Sequence, residues 1–102
     1  MTDRLLGLLG LGLRGRRVTV GVSGVRAGLQ RGAFACVVVA ADASPRTKEK
    51  VERAARARGI PVLTGPRADE LGAGLGRPPV QPVGVSDPAL ARGLEDVCGG
   101  VQ

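Results

Sequence analysis

The run Val37-Val38-Val39-Ala40-Ala41, followed by Asp42-Ala43-Ser44-Pro45, constrains the fold more than any other stretch of the chain. A strand with one wet face alternates polar and apolar residues. An unbroken, β-branched run instead predicts a strand covered on both faces. Ser44 suits a helix N-cap, and Pro45 suits the first helical position, where an N–H would have no partner anyway. The helix predicted over residues 45–58 places Val51, Ala54, Ala55 and Arg58 on one face. Glu49 with Arg53, and Glu52 with Arg56, stand at the i,i+4 spacing of supporting ion pairs. Gly59 ends it. A covered strand that launches a helix from its carboxyl end is half of an α/β unit.

The remaining elements follow the same alternation. Leu5 to Leu13 reads as a buried amphipathic helix started by Thr2 or Asp3, weakened by Gly7, Gly10 and Gly12. It is too short to span a bilayer, and Asp3 together with Arg14-Gly15-Arg16-Arg17 argues against a secretory signal. Arg16–Val20 reads as a strand and Gly21–Gly24 as a turn. A helix is predicted from Val25 to Gln30, with Gly32 as C-cap. Ile60–Leu63 is a short strand with Pro61 near its start. Pro66–Leu75 is a helix carrying Asp69 and Glu70 in its first turn. Arg77–Pro82 is a stiff loop and Val83–Val85 a last strand. Asp87 and Pro88 open a terminal helix that runs to Val97. This α-β alternation points to a sheet sandwiched between helices, and 102 residues leave room for one core.

Composition narrows the chemistry. The net charge is +6, unevenly spread: residues 1–35 hold six Arg against one acid, Asp3. Such a chain can meet a polyanion, most readily nucleic acid; an Arg-rich bias from a GC-rich genome gives the same composition, so charge alone does not decide. Phe34 is the one aromatic residue, which argues against single-strand binding by base stacking. With no histidine there is no Ser-His-Asp triad, Cys-His pair or His metal site. Cys36 and Cys98 are far apart in sequence and read as small buried apolar residues of a reducing cytosol.

Three motifs need weighing. Gly10-Leu11-Gly12-Leu13-Arg14-Gly15 matches G-x-G-x-x-G, but a dinucleotide loop follows a strand and opens a helix, and this one precedes a strand. Gly21-Val22-Ser23-Gly24-Val25 resembles a nucleophile elbow with a glycine one place early and no base to serve it. The same turn has a better use: N–H groups at a helix N-terminus attract phosphate, and Arg16, Arg17, Arg26 and Arg31 flank it. A tight β-α turn with purely geometric glycines is the plain alternative. The charged helix at 45–58 reads first as a solvated face.

Ala41-Asp42-Ala43-Ser44-Pro45-Arg46-Thr47-Lys48 resembles the strand-to-helix junction of the L-seven-Ae family of ribosomal proteins, in the kink-turn RNA-binding superfamily. Leu5-Leu6-Gly7-Leu8, Arg31-Gly32, Gly59-Ile60-Pro61-Val62, Glu70-Leu71-Gly72 with Gly76-Arg77, and Asp87 resemble further family segments in the same order. The short bacterial members are the most similar. The resemblance implies an α/β fold: a three-layer α/β/α sandwich with a small, about four-stranded mixed sheet, one domain over residues 1–102. It implies a non-catalytic, cytoplasmic monomer without cofactor, metal or membrane, bound to structured RNA, often a kink-turn and here ribosomal. Ribosomal or translation proteins are the other expected partners.

Carried over to this sequence, the RNA contacts fall on Arg16, Arg17, Gly21, Val22, Ser23, Gly24 and Arg26 around the first turn, and on Arg77, Pro78, Pro79, Val80 and Gln81 in the late loop. Strong kink-turn binders have an Asn-Glu pair after the glycine and a lysine one turn later. Here Val22-Ser23-Gly24 and Ala27 stand in those places, and they supply no matching base-edge hydrogen bonds. Two other readings therefore stay open: a protein-interaction module that has lost RNA specificity, and a recognition domain associated with an RNA-modifying enzyme.

Overall fold

The computed structural model describes residues 2–98, with side chains from Arg4 onward. The elements are α1 (Thr2–Arg14), β1 (Val18–Val20), α2 (Val22–Arg31), β2 (Cys36–Val39), α3 (Pro45–Ala57), β3 (Val62–Thr64), α4 (Ala68–Gly74), β4 (Pro82–Val85) and α5 (Pro88–Cys98). Among the described residues nine elements alternate as the sequence pattern predicts. The cap proposed for Thr2 or Asp3 lies outside the described side chains.

The four strands form one mixed sheet in the order β1-β4-β2-β3. The last strand inserts between the first two: β4 runs antiparallel to both β1 (Val18 opposite Val85) and β2 (Val38 opposite Val83). β3 lies parallel to β2, with Leu63 opposite Val38. The two central strands, β2 and β4, are buried along their whole length, as the unbroken Val37–Val39 run requires.

Side-chain alternation splits the core into two layers. Cys36, Val38 and Ala40 point to one face, with Leu5 and Leu9 of α1, Leu71 of α4 and Leu94 of α5. Val37 and Val39 point to the other, with Val25 and Leu29 of α2 and Val51 and Ala55 of α3. Phe34 fills the second layer. A Cβ added at Gly28 would lie 2.2 Å from its ring, and one at Gly84 would lie 2.5 Å from it, so the ring lies against glycine on both a helix and a strand.

Several boundaries differ from the sequence reading, for local reasons. α2 begins at Val22 rather than Val25, because Gly21 itself takes the N-cap at φ 101° and its carbonyl accepts from Val25 N at 3.0 Å. β1 is shorter at its start, since Arg16 lies in the left-handed region at φ 59°. β3 begins after Pro61, whose carbonyl accepts from Val37 N at 3.0 Å. α4 begins at Ala68, with Arg67 extended before it. α3 starts as expected: Ser44 Oγ accepts from Thr47 N at 3.2 Å, and Pro45 follows. Glu49 and Arg53 form their ion pair.

The α1 glycines are not equivalent. A Cβ on Gly12 would meet Leu90 and Val18 side chains at 2.5 Å, so that glycine lets the helix sit close to the sheet and α5. Gly7 and Gly10 face open space. Gly7→Ala and Gly10→Ala are each expected to raise stability by about 1 kcal/mol. For a domain of this size that is a rise of roughly 4–8 °C in the melting midpoint, read by circular dichroism. Gly12→Ala should lower the midpoint; a rise at Gly12 would contradict the close α1 packing.

Candidate nucleic-acid interface

The carboxyl ends of β1, β2 and β3 and the amino end of β4 share one edge of the sheet, where ligands bind in open α/β folds. Four segments meet there. Gly21 N donates to Pro82 O at 3.2 Å, so the start of α2 lies beside the end of the Arg77–Gln81 loop. Ala40 N donates to Gln81 O at 2.7 Å, and Ser44 N donates to Gln81 Oε1 at 3.1 Å. Ala41 N donates to Pro66 O at 3.0 Å. The two stretches expected to contact RNA, some 50 residues apart in sequence, are thereby neighbours.

The loop is held from below as well. Arg77 N donates to Gly72 O at 2.8 Å, and Val80 N donates to Ala68 O at 3.0 Å. It crosses α4 so closely that a Cβ on Gly72 would lie 2.2 Å from Pro78 O. α4 itself is capped across the chain: Asp42 Oδ1 accepts from Ala68 N at 2.7 Å. Asp42 caps α4 and Ser44 caps α3, so both act as end groups of helices.

The candidate residues fall into separate roles. Val22, Ser23 and Arg26 are exposed on the first turns of α2, and Arg77, Pro78 and Pro79 are exposed at the crest of the loop. Val80 is buried and anchors the loop in the core. Gln81 is half-buried, with its side-chain oxygen committed to Ser44. Gly24 is set by packing, since a Cβ there would meet Thr19 Cγ2 at 2.6 Å.

Arg16 and Arg17 stand apart from this edge. Both precede β1, at the other end of the sheet, about 13 Å of extended strand from Gly21. Arg17 Nη1 pairs with Asp87 Oδ2 at 3.0 Å, and its carbonyl accepts from Ser86 N at 2.9 Å. Flanking the turn in sequence does not place them at the turn in space.

Two cations at the edge were not among the expected RNA contacts: Arg67 was missed, and Arg46 was read only as bordering the RNA surface. Arg67, beside the loop, lies 3.8 Å from Asp42 and 3.6 Å from Asp69. Arg46, in the first turn of α3, is exposed next to the Ser44 cap that holds Gln81. The available signal was position: each lies just beyond a predicted strand, where helices start.

The thiols lie elsewhere. Cys36 opens β2 at the far end of the sheet, and burial, with Glu95 and Cys98 adding to it, pushes its pKa up to about 12. Burial also raises Cys98, which packs on the same core layer. Both are free and protonated at neutral pH, and neither is a nucleophile of the kind a low-pKa thiolate provides. Among the described residues no three His, Cys, Asp or Glu side chains are grouped to hold a metal ion. No described helix is long and apolar enough to cross a membrane.

Comparison with known proteins agrees with this architecture. A structure from Bacillus halodurans, of a protein of unknown function, superposes with a TM-score of 0.88 at 29% identity, covering 94% of this chain and 97% of that one. The Giardia lamblia 15.5kD RNA binding protein superposes with a TM-score of 0.74 at 24% identity, covering 95% of this chain and 83% of that one. No curated protein matches the sequence. Residues 3–95 match the ribosomal protein L7Ae/L30e/S12e/Gadd45 family, and with that match spanning α1 to α5 the chain belongs to this family.

Proposed function

We propose that the chain is a non-catalytic RNA-binding protein of the ribosome or translation apparatus, a single cytoplasmic domain over residues 1–102 that acts as a monomer on structured RNA. The observation that carries this reading is the pinned Arg77–Gln81 loop beside the N-terminus of α2. Its exposed Pro78 and Pro79, with Val22, offer an apolar surface to an unstacked base. The first N–H groups of α2, with Arg26 and Arg77, offer positive charge to the phosphates around it. Family membership and the likeness to an RNA binding protein from Giardia lamblia support the same reading. Val22-Ser23-Gly24 carries no carboxylate or amide for base edges, so recognition rests on shape and backbone more than on kink-turn sequence. That same lack favours, as a second reading, a protein-interaction module.

Filter binding on a kink-turn hairpin, a ribosomal RNA fragment and duplex DNA tests the proposal. Arg26→Ala and Arg77→Ala are each expected to weaken RNA binding roughly 5- to 10-fold and to reduce the slope of log K against log salt by about one. Equal binding to RNA and duplex DNA at moderate salt sinks it. Loss of a co-purifying protein in place of RNA affinity would hand the site to the second reading.

A further inference from the structure

The two helical layers differ in charge. α2 carries Arg26 and Arg31 and no acid, while α3 carries five basic residues against Glu49 and Glu52. On the opposite layer α1, α4 and α5 together carry three arginines and five acids. The sheet therefore separates a strongly basic wall from a mildly acidic one.

The basic wall has a shape. Between α2 and α3 runs an open groove of about 450 Å³, rimmed by Arg26, Gln30, Lys50 and Arg53 and floored by Ala54 and Ala57. Next to it, Arg58 Nη2 donates to the Gln30 carbonyl, tying the end of α3 to the end of α2. At its near end Arg26 belongs both to the groove and to the edge described above. Lys50 and Arg53 lie about one helical turn apart on one face of α3. Glu49 is turned onto Arg53, which leaves Lys50 and Arg26 as the free cations of the rim.

We infer that this groove is a second contact surface for the same RNA, holding the phosphates of the stem that continues past the loop edge. The inference rests on the proposed function and adds the path of the bound RNA. Charge complementarity and continuity through Arg26 carry it. The floor also argues against a protein occupant: alanines offer no pocket for the aromatic or large aliphatic anchors that dominate protein interfaces. The exposed large apolar residues of the described chain, Leu11 and Val22, both lie outside the groove lining. A phosphate backbone needs cations on a smooth wall, and the sequence-independent part of its binding is of this kind.

The test is the double variant Lys50→Ala/Arg53→Ala, measured against hairpin RNAs that share one internal loop and carry either a short or a long stem beyond it. Both positions are exposed on a helix and alanine favours helix, so the variant should fold, which circular dichroism checks. For the long-stem RNA the salt slope is expected to fall by about one, because Arg53 is already paired with Glu49 and Lys50 is the free cation of the two, with affinity down several-fold at about 50–200 mM salt. Short-stem binding is expected to stay as it was, and Arg92→Ala on the opposite layer should change neither. An unchanged slope on the long stem, or an equal loss on both stems, overturns the groove; so does an unchanged slope with loss of a bound protein. Arg77→Ala separates this failure from that of the functional reading, because it should weaken both hairpins alike. Wild-type protein that binds neither hairpin overturns both.

Discussion

Gly84→Val is expected to cost about 3 kcal/mol or more and to leave much of the protein unfolded near physiological temperature. Strand propensity alone predicts the opposite, since valine favours a central strand by up to about 1 kcal/mol. Packing wins because of Phe34. A Cβ at Gly84 would stand 2.5–2.7 Å from three atoms of the ring, and on its other side the ring lies against Gly28, where a Cβ would be 2.2 Å away. Nor can the strand move, because Gly84 pairs with both Thr19 and Val37. The ring therefore has no direction in which to yield without opening the layer between α2 and the sheet. The melting midpoint should fall by roughly 12–24 °C at that cost. Phe34→Ala, itself costing about 3–5 kcal/mol, should recover part of the loss when added to Gly84→Val. Strict additivity of the two would refute the clash as the cause.

Gly72→Ala is the second large expected effect, and it falls on binding. Its Cβ would press on backbone, 2.2 Å from Pro78 O and 2.7 Å from Pro78 C, so the loop rather than a rotamer must give. The helix gains about 1 kcal/mol from alanine, while the overpacking costs about 1–3 kcal/mol, so the fold should survive. The loop, however, is displaced from its seat. RNA affinity is expected to drop about tenfold or more, the scale on which small misplacements of a built surface act. Hydrogen exchange gives an independent reading: the Arg77 and Val80 amides, held by Gly72 O and Ala68 O, should lose protection. Lost protection with unchanged RNA affinity would remove the loop from the interface. Unchanged protection would show that the close approach is relieved some other way.

Much of the fold was legible because its signals are local. Val37–Val39, Ser44-Pro45 and Asp87-Pro88 announce a covered strand and two helix starts through residues a few positions apart, and each stands where it was expected. Boundaries slipped where a single residue could serve two states: Gly21 could end a turn or cap a helix, and a backbone hydrogen bond from Val25 decided for the cap. The candidate site was legible in part. Gly21–Arg26 and Arg77–Pro79 were identified from resemblance and chemistry, and they meet at one edge. Arg16 and Arg17 were grouped with them by sequence distance, which an extended strand turns into spatial separation. Val80 and Gln81 were expected at the RNA; burial assigns Val80 to anchoring the loop, and a side-chain hydrogen bond ties Gln81 to Ser44.

By itself the sequence determined the identity and order of the nine described elements, the covered character of the central strand, the helix starts at Ser44-Pro45 and Asp87-Pro88, and the chemistry that a chain without histidine lacks. These follow from hydrogen bonds and apolar periodicities within a turn or a strand, which neighbouring residues settle among themselves. Only the tertiary structure decided that β4 inserts between β1 and β2. That insertion brings the late loop beside Gly21, and the two-layer packing it belongs to gathers the basic helices on one face of the sheet. Those arrangements depend on pairings such as Val38 with Val83 and Gly21 with Pro82, between residues 45 and 61 positions apart. No short-range pattern records them, because they form only when separate apolar faces are buried together.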